Sequence, residues 1–135
     1  MKVWDLEEGK VTQTLNGHQD SVRRVIKLKG NLIASCGFDG KVIVWDFQGK
    51  GPLRTFEQAH NNLFAISYVP EESVLLVGDG EGSVVVEDFL EGSTLHKWNK
   101  LEDGAINAMG YSPKGKTLLT CCESNFIKLW DFSLE

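Results

Sequence analysis

Proline is scarce in this chain, with 3 in 135 residues, and cysteine is equally scarce at 3. With so few prolines against 14 glycines, sharp reversals must rest on glycine. The cysteines, Cys36, Cys121 and Cys122, include no C-x-x-C pair, which argues for reduced thiols and against a metal or redox site. Cys121 and Cys122 are adjacent in an expected strand, so their side chains should point to opposite faces. No apolar run approaches the roughly 18 residues of a membrane helix. Met1-Lys2-Val3-Trp4-Asp5 carries no secretory-type apolar stretch, so an intracellular protein, cytoplasmic or nuclear, with no membrane partner is expected. Positive charge is also short. The 14 Lys and Arg stand against 19 Asp and Glu, and a net charge of −5 disfavours nucleic acid as a partner.

What the chain does have is a repeat, which outranks local signals in setting the fold. Val3-Trp4-Asp5-Leu6, Val44-Trp45-Asp46-Phe47, Val86-Glu87-Asp88-Phe89 and Leu129-Trp130-Asp131-Phe132 align, and their aspartates are 41, 42 and 43 residues apart. Gly17-His18 returns as Ala59-His60 after 42 residues and fades to Glu102-Asp103. Between the markers lie short apolar stretches rich in Val, Ile, Leu and Phe, divided by turns such as Gly37-Phe38-Asp39-Gly40 and Ser112-Pro113-Lys114-Gly115. No sustained helical period interrupts them, so the chain reads as all-β. A weaker segment follows each Trp-Asp position, at 10–15, 52–56 and 93–98, which makes four strands per period.

With these markers the sequence resembles the WD40 repeat family over essentially its whole length. The resemblance implies β-propeller blades, four-stranded antiparallel sheets in an incomplete ring. Residues 1–16 would end one blade, 17–58 and 59–101 would form repeats 1 and 2, and 102–135 would form repeat 3 without its outer strand. It also implies a structural hydrogen-bonded network of His18, Ser35, Asp39 and Trp45. Indole only donates, hydroxyl does both, carboxylate accepts and imidazole bridges, so such a set can satisfy itself away from water. Repeat 2 keeps His60 but has Val77, Glu81 and Glu87 at the other three places. Repeat 3 has Thr120 and Trp130 but Ser124 for the aspartate and no histidine. Both are expected to depend more on apolar packing and to open more readily.

His18, Ser35 and Asp39 also suit a hydrolase triad by residue type, but no nucleophile elbow surrounds Ser35 and the spacing is that of the network, so no catalytic residue is expected. Asp79-Gly80-Glu81-Gly82 alternates acid and glycine, yet Val84, Val85, Val86 and Leu90 fall where a calcium loop needs oxygen ligands. It reads as a glycine turn, with no metal and no cofactor. Arg23, Arg24, Lys27 and Lys29 form a basic strand that is either a solvated face or a local site for acidic segments or phosphate.

The resemblance implies an interaction scaffold or adaptor that binds partner segments on the propeller rim. Carried onto this chain, the contact positions are Ser21, Arg23 and Phe38, then Asn62, Phe64 and Gly80, then Ala105, Asn107 and Glu123. Arg23, Phe38 and Phe64 suit a hot spot, and the plainer reading of the phenylalanines is loop packing. The partners expected are other proteins, together with the rest of a larger propeller or further copies of the chain to close the ring. A ubiquitin-ligase substrate receptor is the alternative. The Arg or Lys that some receptors carry after Trp-Asp is replaced here by Glu7, Gln48, Leu90 and Ser133. A propeller enzyme would need a convergent acid, base or metal set, which the sequence does not offer.

Overall fold

A computed structural model describes residues 1–49, 51–57 and 62–133. Ala59 and His60, the second appearance of the Gly-His marker, lie outside the described residues.

Thirteen strands follow one another among the described residues. The first two, β1 (Lys2–Asp5) and β2 (Lys10–Thr14), form a hairpin. The first full sheet comprises β3 (Val22–Lys27), β4 (Leu32–Gly37), β5 (Lys41–Asp46) and β6 (Pro52–Glu57). A second comprises β7 (Leu63–Val69), β8 (Val74–Asp79), β9 (Val84–Asp88) and β10 (Ser93–Trp98). The third has β11 (Ala108–Ser112), β12 (Thr117–Cys121) and β13 (Ile127–Asp131). Every pairing is antiparallel between chain neighbours. The all-β, blade-like sheets expected from the repeat are present, and among the described residues they are not closed into a ring.

Alternation along the strands explains the stacking, since residues two apart share a face. Val42 and Val44 of the first sheet meet Leu63, Ile66, Leu75 and Val77 of the second. On the second sheet's other face, Leu76, Val84 and Val86 meet Ile106, Leu118 and Phe132 of the third. Trp45 and Ile43 turn the opposite way, against Leu15, Met1 and Val3 of the hairpin. The second sheet is thus covered on both faces, and β8 is buried along its whole length. Each fully buried aliphatic side chain contributes about 1.5–3 kcal/mol.

The third sheet begins at Ala108, two residues after the apolar Ile106. Ile106 N donates instead to Asp79 O of the second sheet at 3.0 Å, which ties the connection to its neighbour. Cys122 lies just outside β12, which ends at Cys121, so the two cysteines do not share a strand.

Candidate functional site

Strand β4 places Ser35 in the buried middle of the first sheet, opposite Ile43 of β5. Trp45, also on β5, is 0% exposed and donates its indole N–H to Ser35 Oγ at 2.9 Å. His18 Nε2 lies 2.7 Å from the same oxygen, and its Nδ1 is 2.9 Å from Asp39. A carboxylate only accepts, so Nδ1 carries the hydrogen and Nε2 is left to accept the Ser35 hydroxyl. One directed chain results, from indole through hydroxyl and imidazole to carboxylate. Burial alone would raise the Asp39 pKa, but backbone N–H bonds from Gln19 and Lys41 and the His18 bond outweigh it and hold the group below its ordinary 3.8. Gly17 precedes the histidine for a steric reason, since a Cβ there would sit 2.8 Å from the Trp45 ring. Ser35 is 0% exposed and its oxygen already receives the indole, so the triad-like trio has no surface at which to meet a substrate.

Three of the four aspartates of the 41–43-residue beat have a local task that the pattern did not reveal. Asp5 accepts from Glu7 N and Glu8 N, Asp46 from Gln48 N, and Asp88 from Leu90 N and Glu91 N, all at 2.9–3.0 Å. Each carboxylate closes the turn after its strand.

Beside the network, two inner strands carry the same irregularity. Val22 pairs with Gly37 and Arg24 with Cys36, so Arg23 is the extra residue of a bulge. Leu63 pairs with Asp79 and Ala65 with Gly78, so Phe64 is the extra residue of another. Bulges re-aim side chains, and here both turn toward the same place. The Phe38 and Phe64 ring centroids are 4.9 Å apart, and the Arg23 guanidinium lies 5.0 Å and 5.7 Å from them. Matching turn bonds hold the loops, from Phe38 N to Ser21 O at 3.0 Å and from Gly80 N to Asn62 O at 2.9 Å. Gly80 leaves room for the ring, because a Cβ there would approach Phe64 to 3.1 Å.

Of the expected contact residues, the structure therefore gathers Arg23, Phe38 and Phe64, with Ser21 and Asn62 in the supporting loops. Asn107, just before β11, meets the neighbouring Arg24 and not the cluster, its carbonyl accepting from Arg24 Nη2 at 3.0 Å. Glu123 stands exposed in the turn after β12, outside the aromatic cluster. The rest of the basic strand is engaged locally, with Lys27 Nζ donating to Gly30 O at 2.8 Å and Lys29 Nζ lying 6.0 Å from the Phe89 ring.

In the later repeats other polar groups stand near the places of the missing motif residues. In the second sheet Asp79, two places before Glu81, caps the turn by accepting from Glu81 N and Ser83 N at 2.9 Å. Buried Glu87, in the tryptophan's place, accepts the Thr94 hydroxyl at 2.8 Å. In the third sheet the missing histidine is replaced by Glu102, which is 2% exposed and accepts the Thr120 hydroxyl at 2.5 Å. Neither sheet is left to apolar packing alone. Glu102 was within reach of the sequence, because the 42-residue beat from His60 falls on it.

A family profile described as "WD domain, G-beta repeat" matches residues 9–46 and 92–131. The chain belongs to the WD40 repeat family. Strands β7 to β9 fall between the two matched WD40 segments, where Val77 and Glu87 depart from the pattern. Among similar proteins, the U3 small nucleolar RNA-associated protein 12 of Saccharomyces cerevisiae is 24% identical over 92% of this chain and 13% of its own length. The protein transport protein SEC13 of Coccidioides immitis is 25% identical over 100% of this chain and 54% of its own. The cilia- and flagella-associated protein 52 of Bos taurus is 24% identical over 98% of this chain and 22% of its own. This WD40 chain thus spans about half or less of the length of each of these relatives.

Proposed function

We propose that this chain is part of a non-catalytic interaction scaffold, and that its Arg23–Phe38–Phe64 cluster receives a partner segment with acidic and apolar character. The observation that carries the reading is the cluster itself. Two half-buried aromatic rings and an exposed guanidinium, with Arg23 and Phe64 at equivalent bulges of two sheets and Phe38 in the turn after β4, form a preassembled surface. Preassembly lowers the ordering cost of binding. Arg23 is free to pair bidentately with a carboxylate while its plane rests on the rings. Relatives named for transport, nucleolar RNA association and cilia share the repeat and no single task, which suits a scaffold. The free thiols of Cys36, Cys121 and Cys122 fit a reducing compartment. We also infer that further blades, from a longer chain or from other copies, cover the open faces at either end of the stack.

The test is an affinity series against the partner captured by the complete protein, with Arg23→Ala, Phe38→Ala and Phe64→Ala variants checked for folding first. Each phenylalanine truncation is expected to cost about 2 kcal/mol, roughly thirtyfold in affinity. Unchanged affinity in all three variants places the contact surface elsewhere. Destabilised phenylalanine variants with intact affinity assign the rings to loop packing.

A further inference from the structure

The third sheet solves the first sheet's problem with different chemistry. Trp130 Nε1 donates to Thr120 Oγ1 at 2.8 Å, and the Thr120 hydroxyl donates to Glu102 Oε1 at 2.5 Å. The other carboxylate oxygen, Oε2, accepts from Lys128 Nζ at 2.8 Å and from the Cys122 thiol at 3.5 Å. In the first sheet the hydroxyl meets an imidazole backed by a carboxylate. Here it meets a carboxylate backed by an ammonium. The strand registers make the comparison strict, since Ser35 pairs with Ile43 and Thr120 with Lys128. A station filled by an apolar residue at 1% exposure in one sheet holds the counter-charge in the other.

Glu102 is also tied through its backbone. Its N–H donates to Gly82 O at 3.2 Å, and nearby Ile106 N and Asn107 N donate to Asp79 O at 3.0 Å and Cys121 O at 2.9 Å. Gly82 takes a φ of 85°, and a Cβ there would lie 2.1 Å from Glu102 O, so that close approach requires glycine. The connection between β10 and β11 is therefore pinned to the second sheet by backbone and to the third by the Glu102 side chain.

We propose that Glu102 and Lys128 form a charge-reversed lock that replaces the His18–Asp39 pair in the third sheet and fixes the β10–β11 connection, rim residue Asn107 included. The lock depends on the lysine charge, because the Glu102 side chain is 1% exposed and a buried carboxylate without its counter-ion is strongly disfavoured. Besides Lys128, the titratable groups against the pair are Cys122 and Asp103. An uncharged residue at 102 removes the need for the cation.

The experiment is hydrogen exchange followed by NMR on the full-length protein without partner, so its outcome is independent of the rim's binding role. The probes are the Trp130 indole N–H and the backbone amides of Glu102, Ile106 and Asn107. Lys128→Met is expected to lower protection at these sites by about tenfold or more, and Lys128→Arg to keep it within about twofold. The double variant Lys128→Met/Glu102→Gln is expected to be better protected than Lys128→Met alone. A Lys128→Met loss of equal size on the Glu102→Gln background assigns Lys128 to packing and overturns the lock, as does unchanged protection in Lys128→Met. Should Lys128→Met fail to fold, rescue by Glu102→Gln supports the lock and failure of the rescue overturns it.

Discussion

Asp39 and Glu102 are both carboxylates in low-exposure settings, and both are held below their ordinary pKa. For Glu102 burial pushes the value up, and the Lys128, Thr120 and Cys122 bonds and the Lys128 charge bring it below the usual 4.5. Lys128 is raised in return, chiefly by its bond to Glu102. A depressed carboxylate adds stability that is fully present above its unfolded pKa and is lost as pH falls through its folded pKa. The first and third sheets are therefore expected to weaken as pH drops from the ordinary 4.5 of Glu102 downward. Urea midpoints measured from about pH 6 to about pH 3 check this. The acid-side slope should flatten in Asp39→Asn and Glu102→Gln, and slopes identical to the parent's would move the acid sensitivity to other carboxylates. At Cys36 the balance is reversed. Burial raises its thiol to about 12, so it stays protonated and packs as a small apolar group.

At the scale of strands and sheets, the sequence was most legible where one physical rule acted alone. The weaker segment expected at 93–98 is the observed β10, marked by the turn residues that bound it. The first sheet's network was legible through the family resemblance, whose four positions are all filled here by groups that can satisfy one another's hydrogen bonds. Less legible was any group doing a familiar task from a new position. Asp79 caps a turn from two places upstream of Glu81, whereas Glu102 does a histidine's work from the position that the 42-residue beat assigns to it. The bulges at Arg23 and Phe64 were equally silent, since a one-residue slip leaves no compositional mark. Coverage also changes the expected order of opening. Motif loss pointed to the second and third sheets as opening more readily than the first, yet β8 is fully buried and has neighbours on both faces. In β13, by contrast, Ile127 and Leu129 are 66% and 69% exposed. Amide exchange within the intact protein is therefore expected to be slower in 74–79 than in 32–37. If no further blade covers the third sheet, 127–131 should exchange fastest. Faster exchange in 74–79 than in 32–37 would restore the motif-based order.

For the molecule as a whole, the decisive feature is a pair of open faces that match the halves of an interface it already makes. Val42 and Val44 of β5 are 0% and 2% exposed under the second sheet, and their β13 equivalents are Ile127 and Leu129. Trp45 is 0% exposed under the hairpin, and its equivalent in β1, Trp4, is 53% exposed. One end thus presents the aliphatic half of a blade–blade contact and the other presents the tryptophan half. Faces that differ but complement each other associate head to tail, and such contacts continue unless the rotation closes them. A 135-residue chain expressed separately is therefore expected to self-associate in a concentration-dependent way, with scattering that grows beyond a dimer. Leu129→Lys puts a charge in the middle of the aliphatic half, and its desolvation opposes the contact. That variant should reduce the scattering sharply, while a lysine at already exposed Leu53, at 61% on the outer strand β6, should change it little. A stable monomer with a sharp, concentration-independent unfolding transition would mean that the open faces do not drive association. Equal effects of the Leu129 and Leu53 variants would trace it to net charge and not to the blade face.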